Sequence, residues 1–325
     1  MQPVVDNRAT RGMRAVILCL CAGIVMAGDV AAAQTVPPPL GKLIDAGGYR
    51  VHLYCTGATN PTVVVVGGGF SFDWGLIQPE VAKFARICTY DPSGTAWSDP
   101  FPGAQQGLRV PRCTDRVSEI HRVLQNADIG SPYVLVGFSI GGLIARLYAH
   151  DFPQEVAGMV IVDHAFIDAG PDTARTSEAP AGSLAGSVDS PPVLIYKTPI
   201  ALGIEDDRNF GKLPELDRNL HTWAMSISPL RPSVEMAAEC FATVDDATRS
   251  RAHPLGDRPL IVVRTNNDAI GYEGLQTKLL TLSRDSKQML AAHSSHMVII
   301  DEPEVVTNGI REVVEAVKNG TKLPR

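Results

Sequence analysis

The chain has 325 residues, of which 45% are hydrophobic and 20% charged, and its formal net charge is −6 at pH 7. A chain of this length and apolar content can bury a sizeable core in one domain that carries an inserted subdomain. The acidic balance provides no basic surface, which argues against nucleic acid and anionic membranes as partners.

The first 33 residues have the pattern of a secretory signal peptide. Arg8, Arg11 and Arg14 precede an apolar stretch over residues 15–27, and three alanines follow at 31–33. These are the basic region, the apolar region and the small-residue cleavage site of an exported protein. The apolar stretch is too short to span a bilayer comfortably, although an uncleaved anchor is the alternative. We therefore expect a periplasmic or secreted protein, without stable membrane insertion after residues 1–33 are removed.

Strands dominate the predictions for the first third of the mature chain. Residues 34–48 comprise a proline-rich tether and the first strand, and Gly47-Gly48 is a hairpin signal. Four consecutive valines after Thr62 are typical of a strand that is buried on both faces. The predicted elements are strands over 43–46, 49–55, 62–66 and 85–90 and a helix over 113–127.

The rest of the chain alternates strands with helices around one interruption. Residues 134–150 predict a strand, a sharp turn and a helix, and further strands are predicted over 156–163, 259–265 and 287–292, before a closing helix over 303–318. In the interruption, residues 169–192 predict a loop, and residues 199–252 predict short helical pieces broken by Pro214, Pro229 and Pro232.

This alternation predicts an α/β fold with a mostly parallel sheet and helices on both faces. Ligands of such sheets bind at the carboxyl ends of the strands. Gly67, Ser139, Asp163 and Asp268 all fall at those ends.

The turn at residues 137–141 reads Gly-Phe-Ser-Ile-Gly and lies between the predicted strand and helix. This is the G-x-S-x-G pattern in the context of a nucleophile elbow, which exposes a serine hydroxyl at the end of a strand. The sequence therefore predicts Ser139 as the nucleophile of a hydrolase.

A serine nucleophile needs a base and a carboxylate that orients the base, and in this arrangement they follow the serine in the order acid, then histidine. His296 lies after the last predicted strand and is preferred to His293, because the loop must leave the sheet before it returns over the elbow. Asp268 follows the strand over 259–265 and is the predicted acid, with Asp163 as the alternative. The other histidines are assigned to the surface or the core, with a reservation for His164, which ends a strand.

The predicted oxyanion hole combines the backbone amide of Ile140 with that of Gly69, and Gly68 and Phe70 are the alternatives to Gly69. The chain has no G-x-G-x-x-G pattern, Walker lysine or C-x-x-C pair. No cofactor and no metal are therefore expected.

Three segments resemble motifs of the α/β-hydrolase superfamily. Residues 137–142 resemble its G-H-S-x-G-G, residues 90–100 its Y-D-R-x-G-x-G-x-S-D-P, and residues 295–306 its closing G-H…D-x-P-E-x-V. The last match also places the catalytic histidine at His296. Phe138 departs from the usual histidine, Ala96 from a glycine, and Gly67-Gly68 from the H-G pair before the oxyanion turn.

The resemblance implies an eight-stranded sheet, a core over residues 49–168 and 257–325, and a helical cap over about 169–256. Its strand order implies that the strands of Cys55 and Cys88 are neighbours, so we expect a disulfide between them, and a Cys113–Cys240 disulfide would tie cap to core. The resemblance also implies a serine hydrolase that cleaves a small-molecule or polymeric ester, and the pattern of residues 1–33 implies that this hydrolase is exported. Amide hydrolysis, acyl transfer, C–C bond hydrolysis and ligand binding without catalysis are the alternatives, and the oligomeric state is left open.

Overall fold

The structure is a computed structural model that describes residues 36–104, 111–164, 208–227, 234–248, 251–266 and 272–325. The predicted signal peptide and the predicted loop over 169–192 lie outside these ranges. Pro38–Arg325 form one compact unit.

Eight strands form a single sheet in the order β1-β2-β4-β3-β5-β6-β7-β8. β1 and β2 form the predicted hairpin, β2 is also antiparallel to β4, and every other neighbouring pair is parallel. The fold class is therefore as predicted, an eight-stranded and mostly parallel sheet. The strands are β1 (Lys42–Asp45), β2 (Arg50–Thr56), β3 (Thr62–Val66), β4 (Ile87–Asp91), β5 (Tyr133–Phe138), β6 (Val156–Val162), β7 (Leu260–Thr265) and β8 (Ser286–Ala291).

Helices cover both faces of the sheet, because successive side chains of each buried strand point to opposite faces. In β3, Val64 and Val66 pack into one apolar cluster, whereas Val63 and Val65 pack into the other. The helices of the described ranges are α1 (Gln78–Ala82), α2 (Cys113–Asn126), α3 (Gly141–Asp151), α4 (Glu215–Ile227), α5 (Val234–Thr248), α6 (Tyr272–Lys278), α7 (Val298–Asp301) and α8 (Pro303–Asn319). Helices α2 and α3 contribute to the first cluster, and α1 and α8 to the second.

Helices α4 and α5 lie in the segment that the sequence assigns to the cap. Pro214 directly precedes α4, as expected for a residue that favours a helix start but not its interior. On its inner side, α4 packs Leu220, Trp223 and Ala224 against Phe70, Phe72 and Trp97 of the core.

Both predicted disulfides are present. Cys55 and Cys88 are register partners in the β2–β4 pair and are bonded to each other. Cys113 at the start of α2 is bonded to Cys240 of α5, which ties the cap segment to the core. Within the described ranges, no helix combines the length and the hydropathy that a membrane span needs.

Candidate active site

Ser139 lies in a strained turn between β5 and α3. Its φ is 55°, a left-handed value that is uncommon for a residue with a Cβ, and its backbone N–H donates to Val162 O at 3.0 Å. Residues held in such conformations cost about 1–3 kcal/mol and concentrate at functional sites. The geometry is that of the elbow that the sequence predicts.

The glycines around Ser139 are required by the close approach of β3 to the turn. A Cβ on Gly141 would lie 1.7 Å from Val66 O, and a Cβ on Gly137 would lie 2.6 Å from Gly141 O. Both contacts are with backbone, which has no flexible end that could move aside. The sequence pattern is thus explained by the packing of three backbone segments.

His296 reaches Ser139 from the loop after β8. Its Nε2 lies 3.0 Å from Ser139 Oγ, within hydrogen-bond reach for proton transfer. The Phe138 ring lies 4.9 Å from the imidazole, centroid to centroid, and covers one side of it. His293, the alternative in the sequence, is exposed, and its backbone N–H donates to Glu302.

Asp301 holds the loop that carries His296. Its Oδ2 accepts hydrogen bonds from the backbone N–H and the hydroxyl of Ser295, both at 2.7 Å. Burial alone would raise the pKa of the Asp301 carboxyl, but the hydrogen bonds from Ser295 and Asn209 outweigh it and hold that pKa below its usual range. The carboxylate is therefore ionised and anchors the residue next to His296.

The carboxylate that contacts His296 among the described residues belongs to Asp163, the alternative acid of the sequence analysis. Asp163 Oδ2 lies 2.6 Å from His296 Nδ1, and the Asp163 side chain is completely buried. Its φ is 37°, and its backbone N–H donates to Val263 O of β7 at 2.8 Å. Asp268, the acid favoured from the sequence, lies outside the described residues.

The glycine stretch after β3 lies beside the elbow, because Val66 and Gly137 are register partners in the parallel β3–β5 pair. Gly69 has φ +101°, and the N–H of the next residue, Phe70, donates to Asp73 Oδ2 at 2.7 Å. The Phe70 amide is therefore engaged by a carboxylate. Ile140 precedes the first residue of α3, so its amide belongs to the helix N-terminus, which favours negative charge.

Two buried histidine–aspartate pairs support the turn after β3, and neither was predicted from the sequence. His221 Nδ1 of α4 lies 2.7 Å from Asp73 Oδ1, and His52 Nδ1 of β2 lies 2.7 Å from Asp91 Oδ2. All four side chains are at most 2% exposed. The partners are distant in sequence, so no local pattern signals either pair.

His164, the other histidine at a strand end, belongs to the interior behind the elbow. It is fully buried, and its Nε2 lies 3.3 Å from the Arg146 guanidinium. Burial and the Arg146 charge lower the pKa of His164 well below its usual value, so the ring is neutral.

Within the described ranges, one group of metal-ligand side chains comes together, at Cys113, Glu239 and Cys240. The two sulfurs are bonded to each other, and disulfide sulfurs have no thiolate to offer a metal. The group is therefore a disulfide beside a carboxylate.

A protein family and several known proteins resemble this chain. A family described as "alpha/beta hydrolase fold" matches residues 61–303. "Uncharacterized protein YqjL" of Bacillus subtilis is 26% identical over 266 residues, which are 79% of this chain and 85% of that protein. The 2-hydroxy-6-oxo-2,4-heptadienoate hydrolase of Pseudomonas putida is 27% identical over 127 residues, which are 38% of this chain and 44% of that enzyme.

Among solved structures, a putative lipase from Acinetobacter baumannii AYE superposes with a TM-score of 0.61 at 15% identity, covering 86% of this chain and 92% of that one. At this identity the similarity concerns the fold. The sheet order, the elbow and the family match over residues 61–303 lead to one conclusion: the chain belongs to the alpha/beta hydrolase fold family.

Proposed function

We propose that this protein is a serine hydrolase that cleaves a carboxylic ester through an acyl-enzyme. The observation that carries the proposal is the continuous chain of contacts from Ser139 Oγ to His296 Nε2, at 3.0 Å, and from His296 Nδ1 to Asp163 Oδ2, at 2.6 Å. A nucleophile within reach of a base that a third group orients is the arrangement needed to activate a serine hydroxyl.

In the proposed reaction, Ser139 Oγ attacks the ester carbonyl while His296 Nε2 accepts the hydroxyl proton. Asp163 fixes the proton on His296 Nδ1 and stabilises the imidazolium that forms. The amides of Ile140 and Gly69 donate to the developing oxyanion. His296 then gives its proton to the leaving alcohol, and a water molecule that His296 deprotonates releases the acid from Ser139.

A fluorophosphonate probe tests the nucleophile. We expect it to label the folded wild type, and to fail to label Ser139→Ala and the heat-denatured wild type. Ser118→Ala, at an exposed position of α2, is the matched control and should label like the wild type. Labelling that persists in Ser139→Ala would falsify the assignment of the nucleophile.

Parallel amide substitutions test the triad acid. Asp163→Asn should lower kcat by roughly 10⁴-fold, because an amide in this position favours the wrong imidazole tautomer. Asp268→Asn should lower kcat by less than about tenfold if Asp163 has the role. The reverse order of the two losses would assign the acid to Asp268.

Hydrolysis of a C–C bond is the second candidate, because the Pseudomonas putida relative is named as a 2-hydroxy-6-oxo-2,4-heptadienoate hydrolase. Matched ester, amide and vinylogous diketone substrates separate the candidate reactions. Faster turnover of the ester supports the first proposal, and faster turnover of the diketone supports the second. A series of p-nitrophenyl esters beside a polymeric ester then defines the acyl chain length.

We also propose that the protein is exported. The support is the signal-like pattern of residues 1–33 together with two disulfides, which persist in oxidising compartments. Cell fractionation and N-terminal sequencing test this proposal. A mature chain that begins near Gln34 in the periplasm or medium supports export, whereas an intact N-terminus in the cytoplasm contradicts it.

A further inference from the structure

We infer that His221, on the cap helix α4, positions the oxyanion turn, which contains Gly69 and Phe70, by holding the carboxylate of Asp73. This inference rests on the proposed function, since it concerns how the hole for that reaction is built. If the inference is correct, the geometry of the Gly69 amide depends on the docking of the cap. The cap then does more than cover the substrate.

Asp73 contacts both residues of the oxyanion turn. Its Oδ2 accepts the Phe70 N–H at 2.7 Å, and a Cβ on Gly69 would lie 2.3 Å from the same oxygen. Its backbone N–H donates to Phe70 O at 3.1 Å, which closes the turn. Any displacement of this carboxylate therefore changes the space and the hydrogen bonding at residues 69 and 70.

His221 holds the other oxygen of that carboxylate. Its Nδ1 lies 2.7 Å from Asp73 Oδ1, and the two side chains are 2% and 1% exposed. The imidazole is fixed between aromatic rings, with Phe70 and Phe210 at 5.4 Å and Phe72 at 6.5 Å between centroids. Removing one partner of a buried pair leaves an uncompensated carboxylate, which must take a proton, admit water or move.

The His52–Asp91 pair differs from the His221–Asp73 pair in the part of the molecule that supplies the histidine. Asp91 Oδ1 accepts the Ser71 N–H at 2.7 Å, and its partner His52 lies on β2 within the core sheet. Consecutive residues of the turn, Phe70 and Ser71, are thus held by two carboxylates. His52, which contacts Asp91, belongs to the core, whereas His221, which contacts Asp73, belongs to the cap.

Asp73 also caps the short 3₁₀ helix Ser71–Trp74, so the pair has a structural role in any case. The test must therefore separate loss of stability from loss of oxyanion geometry. Leu220→Ala provides the matched control, because Leu220 is the buried neighbour on the same helix, packs in the same cap–core cluster, and has no polar group that could hold the Asp73 carboxylate.

The experiment measures kcat, KM, thermal stability and the affinity for an alkylboronic acid, whose tetrahedral adduct places an oxygen in the hole. We expect His221→Ala to lower kcat by about 10–100-fold and to weaken boronate binding by a similar factor, with KM changed less than about threefold. His221→Asn should restore most of the loss, because its amide places a donor near the Nδ1 position. Leu220→Ala should lower the melting temperature with kcat within about threefold of the wild type.

Equal losses of kcat in His221→Ala and Leu220→Ala, or no rescue by asparagine, would overturn the inference. If His221→Ala does not fold, His221→Gln replaces it, since its donor lies near the Nε2 position and should not rescue. Fluorophosphonate labelling of the wild type distinguishes failure of the positioning role from failure of the proposed function. A labelled wild type whose His221 variants behave alike refutes the positioning role alone, whereas a wild type without labelling or turnover refutes the proposed function as well.

Discussion

Gly68 and Gly94 have nearly the same backbone conformation, with φ +88° and +83°, but a side chain would meet different surroundings at the two positions. A Cβ on Gly68 would lie 2.3 Å from Cδ1 and 2.7 Å from Cβ of Phe138, whereas a Cβ on Gly94 would meet nothing within 4 Å. Phe138 in turn packs on the His296 ring. Gly68 is thus needed for the packing beside His296 as well as for its backbone angle.

Alanine at these two glycines separates strain from packing. Both variants lose about 1–3 kcal/mol from the left-handed φ, and Gly68→Ala loses about 1–3 kcal/mol more because Phe138 must move. Chemical denaturation measures the difference, and Gly68→Ala should also lower kcat through the shift of Phe138 against His296. Equal losses of stability at the two positions would show that the backbone angle alone matters.

The side chains of the site were predictable to different degrees, for a physical reason. Ser139 and His296 stand out locally, by the strand–turn–helix pattern and by the loop after the last strand, and the structure places them 3.0 Å apart. The acid was ambiguous because β6 and β7 are parallel neighbours, with Val162 paired to Val263, so both candidate aspartates follow strands that end at the same edge. Which of them faces His296 depends on side-chain direction, which strand periodicity does not encode.

Helix α4 also carries a half-buried acid, Asp217, close to the His221–Asp73 pair. The Asp217 carboxylate packs on Gly75, where a Cβ would lie 1.9 Å from its Oδ2. Burial, and then the negative charge of Asp73, raise the pKa of Asp217 to about 6. Helix α4 thus places one carboxylate against the core where the ionised form is disfavoured.

Asp217→Asn should therefore stabilise the protein, but only above the pH range in which Asp217 titrates. The folded state binds the proton more tightly than the unfolded state, whose pKa is about 3.9, so stability falls as the pH rises from about 4 to about 6. Asparagine removes that fall. We expect a gain of about 1 kcal/mol at pH 7.5, well below the full value of the shift because the carboxylate is partly exposed, and no gain near pH 4.

Denaturation curves across pH 4–8 measure this effect. Glu215→Gln, which removes an exposed charge from the same first turn of α4, is the control and should leave stability unchanged or slightly lower it, because acids favour a helix N-terminus. An Asp217→Asn gain that is equally large at pH 4 would show that the pKa shift is not its cause.

Secondary structure followed closely from the sequence in the core and less closely in the cap. The continuous valine run predicted β3 over its observed bounds, because a strand buried on both faces leaves little choice of boundary. In the cap segment, the prolines predicted where the helices are interrupted but not how long each helix is. Helices α4 and α5 fill the stretches between and after those breaks, with 13 and 15 residues, and contacts with the core select their inner faces.

At the scale of the molecule, the two disulfides constrain the chain very differently. Cys55–Cys88 closes a loop of 33 residues between adjacent strands, whereas Cys113–Cys240 closes 127 residues. The longer loop contains Ser139, Asp163 and His221, but not His296. It therefore links the segments that carry Ser139, Asp163 and His221, and leaves His296 to be held by the packing of β8 and the Asp301 contacts.

Replacing each pair by serines tests this difference. Loop-closure entropy predicts a loss of about 4 kcal/mol for the Cys55–Cys88 pair and about 5 kcal/mol for the Cys113–Cys240 pair, as upper values. Guanidinium unfolding of the oxidised wild type and the two double variants measures the losses, and the reduced wild type should lose at least as much stability as either variant.

Activity should differ between the two variants as well. Because the longer loop spans the cap segment and the core, the Cys113–Cys240 variant should also have a lower kcat, whereas the Cys55–Cys88 variant should retain kcat while it remains folded. A larger loss of stability or activity in the Cys55–Cys88 variant would show that local packing of the strands, rather than the span of the closed loop, determines what each disulfide contributes.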